Sequence, residues 1–145
     1  MKSGWLAAAL AGALLSPVDA CEPLRLEHAW IRLPPPGMAS AAAYFTLTNT
    51  DERAVTITTL ESPRFETAML HETVYEEGQA RMRHRHDVVI RPGEQLLAAP
   101  GGIHLMLQKP SHPLRDGETI TVTIVCDDDK TLEGQFVVQR NEPLR

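Results

Sequence analysis

Apolar and polar positions alternate along most of this chain, and no stretch sustains the period of a helix. Successive side chains of a strand point to opposite faces, so alternation predicts strands with one buried face. Residues 119–126 are the cleanest case: Ile120, Val122, Ile124 and Cys126 share one parity and the threonines the other. Residues 54–60 are a β-branched run, and 41–50 set Ala43, Phe45, Leu47 and Asn49 against Tyr44, Thr46 and Thr48. A less regular strand covers 24–33, with Leu24, Leu26, His28, Trp30 and Arg32 on one parity, until Pro34-Pro35-Pro36-Gly37 ends it. Glu76-Glu77-Gly78-Gln79 reads as the turn between two strand-like segments. Further strands are expected at 95–98, at 103–108, and through Leu132, Phe136 and Val138 after a turn at 127–130. Many short strands with turn signals between them indicate an all-β sandwich or barrel. There is no internal repeat, linker or second domain in the pattern.

The first residues depart from it. Lys2 precedes an apolar, alanine-rich run from Trp5 to Leu15, and Val18-Asp19-Ala20 is a small-residue exit. Residues 1–20 are therefore expected to be a secretory signal, leaving 21–145 as one exported domain. The apolar run is too short to span a bilayer. A net charge of -5, few aromatics and no basic stripe argue against nucleic acid and against an anionic membrane surface. Two cysteines, Cys21 and Cys126, remain after cleavage. In an oxidising compartment a pair of this kind usually forms a disulfide. Two alternatives stay open. Cys21 could carry a lipid, although Val18-Asp19-Ala20 is a poor lipoprotein processing site, and Cys126 could bind copper.

The chemistry concentrates between His71 and Met106. Ten residues separate His71 from Met82, twenty-one separate Met82 from His104, and Met106 follows two positions on. Two imidazoles and two thioethers form a soft, neutral donor set, which selects Cu(I) over magnesium, calcium or zinc. His104 and Met106 are an i, i+2 pair on one strand face, with Leu105 and Leu107 turned to the core. A hairpin centred on Glu77-Gly78 would set His71 opposite His84, with Met82 as its diagonal neighbour on the same face. A slip of one residue would separate His71 from Met82. In Arg81-Met82-Arg83-His84-Arg85-His86 the arginines would form a solvated face. His84 and His86 would then be auxiliary ligands suited to Cu(II), or simply wet surface side chains. Met38 and Met69 are read as packing residues, the latter beside the site.

His71, Met82, His104 and Met106, with Ala29-Trp30-Ile31-Arg32, Ala43-Tyr44-Phe45-Thr46-Leu47-Thr48-Asn49, Leu70-His71-Glu72 and Pro100-Gly101-Gly102-Ile103-His104-Leu105-Met106, resemble the periplasmic copper chaperones of the PCuAC type. The likeness covers nearly the whole of 21–145. It implies a cupredoxin-like β-sandwich that binds Cu(I) in the periplasm. It also implies delivery to a copper-receiving oxidase subunit, at the copper centre of cytochrome c oxidase, or to another copper chaperone. The His/Met-rich C-terminal extension of some members is absent from the closing Asn141-Glu142-Pro143-Leu144-Arg145.

The expectation is thus a monomeric copper carrier, not an enzyme, since no nucleophile–base pair or paired carboxylates stand out. Its histidines must be neutral to bind, so affinity should weaken below about pH 6.5. Two other classes compete. A blue-copper electron carrier needs a cysteine thiolate, for which Cys126 is the candidate. A metal-free structural β-sandwich needs no copper at all.

Overall fold

A computed structural model describes residues 21, 23–127 and 129–144. The expected signal, 1–20, lies outside them. Ten strands follow in chain order: β1 (Leu24–Arg32), β2 (Ser40–Asn49), β3 (Val55–Glu61), β4 (Phe65–Glu76), β5 (Gln79–His84), β6 (Val88–Ile90), β7 (Gln95–Ala98), β8 (Ile103–Pro110), β9 (Thr119–Cys126) and β10 (Thr131–Gln139). The described residues contain no helix. The expected all-β, single-domain architecture is present, and only the short β6 has no counterpart among the strands expected from alternation.

Hydrogen bonding runs through one open sheet in the order β5-β4-β8-β7-β2-β1-β10-β9-β3-β6, with β8 also pairing β2. β1 with β10 and β7 with β8 are parallel; the remaining pairs are antiparallel. The inward side chains of nine strands join one contiguous core, in which Ile31, Leu47, Leu105, Leu107, Ile124, Phe136 and Val138 have no exposure beyond a trace. Phe45 and Phe136 meet edge-on there, with ring centroids 5.8 Å apart. β5 adds nothing to this core; every residue in it is exposed. It extends the sheet past the core as the outer arm of a hairpin.

Two features depart from simple alternation. β1 pairs β2 with Leu26 opposite Leu47, but after a bulge at His28, whose φ is 54°, Trp30 is opposite Tyr44. An extra residue in one strand reverses the faces beyond it. Trp30 therefore leaves the parity of Leu24 and Leu26 and stacks on Tyr44 on the outer face, at 4.9 Å between centroids. The Arg32 guanidinium lies over both rings, at 5.6 and 5.7 Å. Cys21, just ahead of β1, is bonded to Cys126 at the end of β9, closing a separation of 105 residues. The disulfide expected from an exported cysteine pair is present.

Candidate metal centre

Core packing sets the register on which the site depends. Leu70 of β4 and Leu105 and Leu107 of β8 are all but fully buried, and Leu70 pairs directly with Leu105. Slipping either strand by one residue would push these leucines into water and the histidines into the core. With the leucines fixed inward, His71 lies directly opposite His104 on the outer face, and Met69 lies opposite Met106. The two facing imidazoles are 5.9 Å apart between centroids, at an interplanar angle of 81°.

The β4–β5 hairpin brings the third component. Glu77 and Gly78 both have positive φ, 52° and 77°, as a two-residue hairpin turn requires. Glu76 then pairs with Gln79, Thr73 with Met82, and His71 with His84. This is the register expected from a turn at Glu77-Gly78. Met82 is the diagonal neighbour of His71 on the same face. The rings of His71 and His84 are 5.4 Å apart, and those of His84 and His86 are 3.9 Å apart. The four residues singled out in sequence thus share one face of three adjacent strands. They differ sharply in exposure: His104 keeps 6 % of its surface accessible and Met82 keeps 62 %.

The two imidazoles are held in different ways. His104 Nδ1 lies 3.1 Å from the Gly102 carbonyl, which can only accept, so Nδ1 carries the proton. That tautomer leaves Nε2 with a free lone pair, the arrangement usual for a metal-bound histidine. The same carbonyl accepts the Thr73 backbone N–H at 3.2 Å, tying the end of the hairpin to β8. His71 Nδ1 is buried and has no hydrogen-bond partner. A buried polar atom left unpaired costs about 1–3 kcal/mol, which a metal ion at this point would offset. Burial, then the neighbouring rings of His104 and His84, hold the His71 imidazole below its ordinary pKa of 6.5. The ring is therefore neutral and able to donate at neutral pH.

On the opposite face of the hairpin the arginines behave as a solvated face. Arg85 pairs with Glu72 at 2.7 Å, and Arg81 and Arg83 both reach Glu76. Their charge is largely matched by carboxylates and is turned away from the imidazoles. Among the described residues, His, Cys, Asp and Glu form no group of three or more able to hold a metal ion. A metal ion held at these histidines would need the methionine sulfurs to complete its coordination sphere. That requirement fits Cu(I) and disfavours ions that want oxygen or nitrogen alone. Cys126 is tied to Cys21, so no thiolate is left for a blue-copper centre, and the Cys21 sulfur is not open to a lipid. In the sequence Met69 reads as a packing residue beside the site; its i, i+2 spacing from His71 sets its face, and the β4–β8 register places it opposite Met106.

Residues 24–138 match the family described as putative lipoprotein LpqE-like. The chain belongs to the LpqE-like family. This is a PCuAC-type family, and the solved structures that this LpqE-like chain resembles include PCuAC domains. Among curated proteins it is 30 % identical to the putative lipoprotein Lxx21020 of Leifsonia xyli subsp. xyli, over 80 % of this chain and 69 % of the relative. It is 26 % identical to the uncharacterized protein RP573 of Rickettsia prowazekii, of which it spans 51 %, about half. A solution structure of DR1885 from Deinococcus radiodurans in its Cu(I) form is 30 % identical, with a TM-score of 0.66 over 90 % of this chain and 84 % of that one. The copper-bound PCuAC domain from PmoF2 is 21 % identical and shares the fold at a TM-score of 0.68, over 81 % of this chain and 93 % of that domain.

Proposed function

We propose that this protein binds one Cu(I) ion through His71, Met82, His104 and Met106 and carries it, outside the cytoplasm, to a copper-receiving protein. The observation that carries this reading is the His71–His104 pair: two imidazoles directly opposed on adjacent strands and set edge-on to each other, one with a buried nitrogen that nothing else satisfies. Met106 lies two positions beyond His104 on the same face, and Met82 is diagonal to His71. The Cu(I)-loaded relative of similar sequence supports the choice of metal. Neutral donors leave the ion its single positive charge, and the exposed Met82 gives an incoming ligand somewhere to begin. Copper can then pass from donor to donor by ligand exchange, each incoming donor replacing an outgoing one with no change of oxidation state, which is the work of a carrier and not of an enzyme.

The signal-like residues 1–20 and a disulfide both fit an oxidising compartment, and we assign the protein to the periplasm on those grounds. The receiving partner in this reading is an oxidase subunit being loaded with copper, as at the copper centre of cytochrome c oxidase, or another copper chaperone. The protein acts as a monomer. Any Cu(II) is assigned to the outer imidazoles His84 and His86, which offer nitrogen and lie at the exposed end of the row. Competition for Cu(I) against bathocuproine disulfonate tests the reading. One tightly held equivalent is expected, lost in His71→Ala and His104→Ala. Failure of the parent protein to withhold any Cu(I) from the chelator would leave a metal-free structural role.

A further inference from the structure

We propose that Met69 is a further, exchangeable sulfur ligand that holds the Cu(I) ion when Met82 lets go. The inference rests on the copper reading above and deepens it. Its basis is the sheet register. Met69 and Met106 are directly opposed on β4 and β8, and His71 and His104 form the adjacent pair on the same face. Directly opposed residues have Cα atoms about 4.5–5.5 Å apart, whereas diagonal neighbours are about 7–8 Å apart. Met69, His71, His104 and Met106 therefore make a compact block on two strands. Met82 stands outside it, on a third strand, opposite Thr73 and on the far side of the histidine pair.

Packing alone does not account for Met69. Its chain neighbours Ala68 and Leu70 belong with the core, but Met69 has the opposite parity and is not a member of the core cluster. On the other side of Met106 the outer-face partner is Ala42, whose side chain is a single methyl group. Met69 is half-buried, while Met82 is 62 % exposed. The sulfur most open to an approaching acceptor is thus the one farthest from the block, and a second sulfur waits inside it. Replacing one neutral thioether by another leaves the charge of the site unchanged. In this account His71, His104 and Met106 are the fixed ligands, and Met82 and Met69 alternate in the fourth position. When Met82 swings out to meet an acceptor, Met69 keeps the ion from falling to three-coordination and escaping into water.

X-ray absorption at the copper edge on the Cu(I)-loaded full chain tests this, because it counts sulfur neighbours. Methionine to leucine nearly conserves volume, so the variants keep the fold, and circular dichroism verifies it. The parent is expected to show two sulfur neighbours, Met82→Leu still two, and the Met69→Leu/Met82→Leu double variant one. Cu(I) affinity is expected to fall less than tenfold in Met82→Leu and at least tenfold further in the double variant. A single sulfur neighbour in Met82→Leu, or a double variant identical to Met82→Leu, overturns the role of Met69 and leaves the copper reading standing. A parent protein that takes up no Cu(I) overturns both.

Discussion

His71 and His104 face each other across β4 and β8 with ring centroids 5.9 Å apart, yet they are satisfied in opposite ways. The Gly102 carbonyl engages His104 Nδ1, whereas His71 Nδ1 is buried without a partner. One imidazole is held in place by a backbone carbonyl, and the other keeps a buried nitrogen that no protein group engages.

That asymmetry predicts what His71→Leu does. Removing an unsatisfied buried nitrogen relieves a desolvation penalty instead of breaking a bond. The metal-free variant should match the parent in stability to within about 1 kcal/mol in urea unfolding, while Cu(I) retention is abolished. A loss above about 2 kcal/mol would show that His71 has a structural partner.

Acid should weaken the metal-free fold through the same residue. The His71 pKa is depressed in the folded state below the 6.5 of an unperturbed imidazole. Between those two values the unfolded chain binds more protons, so stability rises with pH across that window and is fully present above 6.5. Urea midpoints measured at intervals from pH 5 to 7 should rise towards the upper end in the parent and be flatter in His71→Leu. Copper follows the same sign. Protonation of His71 competes with Cu(I) only below its own depressed pKa, so its share of the affinity loss begins lower than a free imidazole would give.

Much of this arrangement is legible in the sequence, and the parts that are not have physical causes. The Glu77-Gly78 turn and the buried Leu70, Leu105 and Leu107 determine both registers of the site, and each has a plain signature in turn chemistry or alternation. The bulge at His28 has none. One residue at positive φ reverses the face of Trp30, and no residue type there announces it. β6 is three residues long, too short for alternation to be recognised. Met69 reads as a packing residue beside the site, because a lone methionine resembles a gap-filler until its strand partner is known to be Met106.

The disulfide should support the fold and leave the copper site alone. Closing a loop of 105 residues stabilises by about 4–5 kcal/mol in the chain-entropy account, and native disulfides typically contribute about 2–5. Cys21→Ser/Cys126→Ser should lose stability by an amount in that range, read from urea unfolding as a lower midpoint. It should still bind one equivalent of Cu(I). Intact mass of the exported parent should show the loss of two hydrogens and no added lipid.

Met106→Leu separates binding from folding on β8. The side chain is only half-buried and leucine nearly conserves its volume, so stability should change by less than about 1.5 kcal/mol. Cu(I) affinity, measured against bathocuproine disulfonate, should fall at least tenfold. Leu105→Ala, one residue away but facing the core, should do the reverse: a loss of about 2–5 kcal/mol in stability with the metal ligands unaltered.

The most direct measurement is a Cu(I) titration of nitrogen-15-labelled protein under reducing, oxygen-free conditions, following the imidazole ring nitrogens by NMR. One nitrogen of His71 and one of His104 should move together and stop moving at one equivalent, with His28 and His112 unchanged. Saturation at one equivalent with His71 or His104 unmoved would contradict the account.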